Sequence, residues 1–175
     1  MPRIPVLVAA TVAAVLQLAP ATAADGASRV AASDGARAET RAETPEIRIG
    51  PPASGRTVSI ADIERLPMHE VPGGLSMDRE GTHFRGPLLA DVLALIGADG
   101  EDAVTLRGAD GYGARIPRED WERWPLVLAT RVDGAPLGVR ARGPARLLYP
   151  VHLHPELDDR IYIDRSVWLI AEIEW

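Results

Sequence analysis

The residues best equipped for chemistry lie near the end of the chain, in the stretch Leu147-Leu-Tyr-Pro-Val-His-Leu-His-Pro-Glu-Leu-Asp-Asp159. His152 and His154 are two apart, so an extended backbone puts both imidazoles on one side. With Glu156 or Asp158 they would form half of a metal site. Pro150 and Pro155 bracket the segment as a loop, and the plainer reading is a polar rim after a strand. No metal is expected there, and His152, shortly after Tyr149, is read as the edge of a ligand pocket.

Other polar groups fall at the ends of predicted strands. Arg131 stands in an otherwise apolar run, Leu126 to Val132, where a charge needs a carboxylate such as Asp110 or the edge of a pocket. Asp110, Tyr112, Arg140, Arg146 and Tyr149 complete the candidate set. Tyr112 and Tyr149 are either ring-stacking ligand contacts or core tyrosines with satisfied hydroxyls. Arg146 either faces a ligand or is solvated. No catalytic residue is assigned: neither a carboxylate pair of the glycosidase kind nor a Ser-His-Asp constellation is present. The chain has no cysteine, which excludes thiolate catalysis and Cys-zinc sites. All 19 basic residues are Arg and the formal net charge is −6, a balance that argues against a nucleic-acid partner.

The elements that must position these residues follow from periodicity and turn residues. Arg56 to Ile60 alternates as a strand, and Ser59 with Asp62 makes a capping pattern for a brief helix over Ala61 to Leu66. His69 to Thr82 shows no periodicity and reads as loop. Pro87 opens the clearest helix, with Leu88, Leu89, Val92, Leu93 and Ile96 as one stripe and Gly97 as its stop. Ala103 to Arg107 and Tyr112 to Ile116 alternate as strands, and Pro117 to Trp124 is one or two helical turns, with Trp121 and Trp124 against a core. Leu126 to Val132 is a strand, Asp133-Gly134 a hairpin turn into Leu137-Gly-Val139, and Arg146 to Tyr149 an inner strand. The last strand, Val167 to Trp175, puts Val167, Leu169, Ala171, Ile173 and Trp175 on one face and Trp168 and Ile170 on the other.

At the other end, Met1-Pro2-Arg3 precedes an apolar run to Leu18, and Ala21-Thr22-Ala23 is an A-x-A cleavage pattern. Residues 1–23 are therefore expected to be a secretory signal peptide, cleaved or retained as an anchor. Residues 24–45, poor in large apolar side chains, form an expected disordered linker. Residues 46–175 are the expected domain, β-rich α+β with one main helix and short helical turns.

Four motifs in this order carry a resemblance: Gly86 to Leu93 in FRGPLLADVLALIGA, Asp110-Gly-Tyr to Ile116-Pro117 in LRGADGYGARIP, Ala129 to Leu137 in LATRVDGAPL, and Pro144-Ala-Arg146 to Pro150 in GPARLLYP. Together with the closing VWLIAEIEW they resemble the oxidoreductase molybdopterin-binding domain of sulfite oxidase-type proteins. The resemblance implies that β-rich fold, a pterin or molybdopterin as ligand, and Arg146 of the P-x-R pattern as a cofactor contact. Catalytic members of the family also hold molybdenum through a cysteine thiolate, which this chain lacks. Small exported members without that cysteine resemble periplasmic pterin-binding proteins, which report pterin to a membrane-bound diguanylate cyclase/phosphodiesterase or sensor kinase. The expected function is thus non-catalytic pterin binding in the periplasm. The alternatives are a molybdopterin-dependent oxidoreductase of the sulfite oxidase type and an interaction module with a vestigial pocket.

Overall fold

In the computed structural model, residues 44–73 and 78–175 are described; the expected signal segment and residues 24–43 of the expected linker lie outside them. β1 (Glu46–Ile49) pairs antiparallel with β2 (Arg56–Ser59), Ile47 opposite Val58. α1 (Ile60–Ile63) follows at once: the Ser59 Oγ accepts from the Asp62 N–H at 3.0 Å and donates to the Asp62 carboxylate at 2.6 Å, the capping expected from that pair.

The segment read as loop from His69 to Thr82 instead contributes β3 (Met68–Pro72), which pairs antiparallel with β4 (His83–Pro87). β3 lies at an edge and buries only Val71 fully, so it carries no alternating signature. Pro87 closes β4 rather than opening the helix; Leu88 is the N-cap of α2 (Leu89–Ile96), and Gly97 ends it in the left-handed region at φ 79°. Leu89, Val92, Leu93 and Ile96 are all buried, as the stripe predicted.

β5 (Ala103–Gly108) and β6 (Gly113–Pro117) form the expected hairpin, followed by α3 (Arg118–Arg123). The expected single strand from Leu126 to Val132 is two: β7 (Val127–Ala129) and β8 (Arg131–Val132), which enter different sheets. The break falls at buried Thr130, whose hydroxyl donates to Glu64 Oε1 at 2.8 Å and whose N–H reaches the Arg85 carbonyl. Asp133 and Gly134, at φ 47° and 80°, turn β8 into β9 (Ala135–Pro136), the two positive φ values that Asp-Gly hairpins use.

A 3-10 turn over Val139–Ala141 leads to β10 (Arg146–Leu148), paired with β7; after a second 3-10 turn come α4 (Arg160–Arg165) and β11 (Ile170–Glu174). β11 runs parallel to β1 and antiparallel to β5, giving a five-stranded sheet ordered β2-β1-β11-β5-β6. Its predicted two-face alternation fails because the register shifts between Ile170 and Glu172, so Ile170 and Ile173 are both buried. The second sheet is β3-β4-β8-β9, with β10-β7 as a separate pair.

The main core joins the five-stranded sheet to α1, α2 and α3 and includes Trp121 and Trp124. A smaller core of Val71, Phe84, Val127, Ala129, Leu137 and Leu148 lies under the second sheet. The two are sealed by a close approach: a Cβ on Gly86 would stand 2.0 Å from the Leu128 carbonyl oxygen, so β4 reaches β7 only with glycine there. No helix among the described residues is long and apolar enough to cross a membrane.

Candidate functional site

Beside the smaller core opens a cleft of about 410 Å³ whose lining is cationic: Arg79, Arg140, Arg142 and Arg146, against the carboxylates of Asp78 and Asp133, with Phe84 among its walls. Its residues come from β4 and the segment before it, from β8 and the β8–β9 turn, and from the 3-10 turn and β10.

Arg146 is buried in β10, and its guanidinium forks onto Asp78, Nη1 donating to Oδ1 at 2.8 Å and Nη2 to Oδ2 at 3.4 Å. It also lies 4.6 Å from the centroid of Phe84, the only phenylalanine of the chain. Burial of this charge is tolerable because the fork satisfies it and the ring face stabilises the cation. Arg79 and Arg140 are exposed, and their guanidinium groups make no hydrogen bond or ion pair among the described residues. Arg142 stacks over Trp168 at 4.4 Å, and its Nη1 is buried without a hydrogen-bond partner among the described residues. The cleft therefore holds more donors than its own carboxylates satisfy, the chemistry of an anion site.

The other candidates fall elsewhere. Asp110 sits in the β5–β6 turn, its Oδ1 accepting from the Tyr112 N–H at 3.0 Å and its Oδ2 from the Trp168 indole N–H at 3.1 Å. Tyr112 is half-exposed, and its hydroxyl donates to the Asp164 carbonyl. Arg131 pairs with Glu64 rather than with Asp110: Nε donates to Oε1 at 3.0 Å and Nη2 to Oε2 at 2.8 Å. Burial raises the Glu64 pKa, but hydrogen bonds from Arg131 and Thr130 and the charges of Arg131 and Arg85 outweigh it, leaving the carboxyl below its ordinary value. The same hydrogen bond raises the Arg131 pKa.

Tyr149 is buried and lies outside the cleft lining; its hydroxyl donates to Asp120 Oδ2 at 2.7 Å, and Arg165 Nη1 reaches the same carboxylate at 2.9 Å. Burial, then the neighbouring carboxylate, pushes the Tyr149 hydroxyl well above its usual range. His152 is exposed and also outside the lining, while His154 tilts against Trp124 at 4.6 Å and stands 3.8 Å from Glu156.

Of the seven candidates, then, Arg140 and Arg146 line one cleft, and Asp110 reaches it through Trp168 and Arg142. Sequence reasoning missed Asp78, Arg79, Phe84, Arg142 and Trp168. The spacing Arg140-x-Arg142-x-x-x-Arg146 was a signal for three of the four cations, whereas Arg79 comes from a distant segment that only the fold brings in.

Comparison with known proteins bears on the whole domain. The family model described as "Oxidoreductase molybdopterin binding domain" matches residues 36–154. The chain belongs to that family. Among solved structures, the molybdopterin-binding-type fold recurs in the sulfane dehydrogenase SoxCD from Paracoccus pantotrophus at 17% identity and a TM-score of 0.53. The alignment covers 74% of this chain and 37% of that one, so this chain spans well under half of its relative, and the likeness is one of fold. No curated protein matches. Against molybdopterin itself, the arginine donor set, including the orphaned Arg142 Nη1, suits the anionic part, and the cysteine-free chain offers no thiolate to a metal.

Proposed function

We propose that this molybdopterin-binding-type domain binds a pterin bearing an anionic substituent in the arginine cleft, without catalysing chemistry on it. The supporting observation is the cleft itself, where four guanidinium groups meet two carboxylates. Arg79, Arg140 and Arg142 supply charge and donors to the substituent, while Phe84 and the Arg146–Asp78 fork make a flat, polar wall for a heteroaromatic ring. A molybdopterin carrying its metal would supply redox chemistry when bound; the same arginines would hold its anionic part.

The cellular setting is part of the proposal. The basic start, apolar run and A-x-A pattern support export to the periplasm, and the linker composition supports a tether. The domain would then report ligand to a membrane-bound diguanylate cyclase/phosphodiesterase or sensor kinase.

Titration with 6-carboxypterin, followed by its own fluorescence, tests the reading. One equivalent is expected to bind, and Arg79→Gln or Arg140→Gln is expected to weaken it about tenfold, the loss of one charge-assisted bond, with no change in melting temperature. Absence of binding, or equal binding by both variants, would refute the site. Retained molybdenum with sulfite turnover would move the assignment to the oxidoreductase alternative.

A further inference from the structure

α4 carries two isoleucines yet fully buries none of its six residues: Ile161 and Ile163 are 49% and 40% exposed, and Leu153 in the loop before it is 60% exposed. The helix is held by other means. Asp159 caps its first turn, Arg165 reaches the buried Asp120 carboxylate at 2.9 Å, and the Asp164 carbonyl accepts from the Tyr112 hydroxyl. The isoleucines contribute little to that hold, and apolar side chains gathered at the surface in this way mark a contact face.

Between α4 and α3 runs a groove of about 380 Å³, lined by Glu119, Asp120, Glu122, Arg123, Trp124 and Tyr162. It shares no residue with the arginine cleft. Its aromatic wall already holds a cation: the Arg123 guanidinium lies 4.4 Å from the centroid of the Trp124 ring and makes no hydrogen bond or ion pair among the described residues. Trp124 also touches His154 at 4.6 Å, and His154 stands 3.8 Å from Glu156, so the groove continues into the loop that carries Leu153. The surroundings are acidic. Residues 119–124 and 152–165 together hold seven carboxylates against three arginines, and Arg165 is taken up by Asp120. The Glu119 and Asp158 carboxylates have no partner among the described residues.

Charge decides which occupant this face suits. A second copy meeting it across a two-fold axis would set the same acidic surface against itself, and an anionic membrane surface would be repelled. A cationic group beside an apolar one is matched by both the carboxylates and the ring faces. We infer that the α3–α4 groove and the isoleucines beside it form a docking surface for a protein partner, which places an arginine or lysine in the groove against Trp124 and Tyr162 and an apolar side chain on Ile161. The incoming cation exchanges with Arg123, whose place on Trp124 rests on the ring alone. The inference does not depend on which ligand the arginine cleft takes.

Nuclear magnetic resonance of the isotope-labelled full chain, titrated with the peptide acetyl-Leu-Arg-Leu-Arg-Leu-amide and with the same peptide carrying glutamine for arginine, provides the test. The arginine peptide is expected to shift the Trp124 indole and the α4 amides, and the glutamine peptide to bind about tenfold more weakly. Glu119→Gln combined with Glu122→Gln is expected to weaken the arginine peptide about fivefold at low salt, and less in about 0.5 M salt. Arg123→Ala, which frees the ring and removes a like charge, is expected to tighten it about threefold. These variants are expected to bind 6-carboxypterin as wild type does, so failure of the pterin site and failure of this surface are read separately. Equal binding of the two peptides, shifts confined to residues away from α3 and α4, or weaker binding by Arg123→Ala would overturn the inference. So would a dimer in sedimentation that Ile161→Asp dissociates, or binding to anionic lipid vesicles that Ile161→Asp abolishes, since the face would then belong to a second copy or to a membrane.

Discussion

Glu64 illustrates how one residue's environment sets its role. Its carboxylate takes two hydrogen bonds from Arg131 and one from Thr130, joining α1 to the point where β7 gives way to β8. Because its pKa is lowered in the folded chain, its contribution is fully present above the unfolded carboxylate range and is lost as pH falls through the folded value. Glu64→Gln is therefore expected to flatten the loss of stability as pH falls through and below the ordinary carboxylate range, and to cost about 1 kcal/mol at neutral pH, since the pair is partly solvated. Urea melts across that range decide it; an unchanged slope would place the acid sensitivity elsewhere. Tyr149 makes a second contrast. Tyr149→Phe removes one donor to buried Asp120 and is expected to cost about 1 kcal/mol in a urea melt, without altering cleft binding. At this scale residue type was legible but address was not: an arginine in an apolar strand announced a partner, yet Glu64 lies 67 positions away in sequence.

Elements were legible where their own burial wrote the pattern. α2 declared itself because four side chains on one stripe face the core, and the Asp133-Gly134 turn because its backbone demands positive φ. β3 was hidden because an edge strand with one fully buried residue needs no alternation, whereas β1 does alternate, Ile47 and Ile49 buried beside exposed Glu46 and Arg48, so its signal was present at the margin of the linker composition. The bulge in β11 could not be read from a period-two pattern that it interrupts. Two substitutions probe these packings. Leu93→Ala, at a fully buried site, is expected to cost about 3 kcal/mol by the usual range for such cavities. Gly86→Ala drives a methyl into the Leu128 carbonyl and is expected to cost more than about 3 kcal/mol, separating β4 from β7. Denaturant melts measure both; a neutral Gly86→Ala would mean that the β4–β7 approach relaxes freely.

Over the whole molecule, the order of four short motifs was enough to reach the sulfite oxidase-like fold, because each marks a junction between elements: a strand-to-helix turn, a hairpin, a second hairpin and an inner strand. The cleft was less legible, since its lining joins residues 78–84 to residues 132–146 across one sheet and a pair. What unites these scales is a surplus of positive donors at one place on an acidic chain. Native mass spectrometry of the protein, purified gently from cells that make both pterins and the molybdenum cofactor, tests that account most directly. A mass increment of one anionic pterin without molybdenum is predicted. A molybdenum-bearing increment, or a bare chain that stays bare when 6-carboxypterin is added, would contradict it.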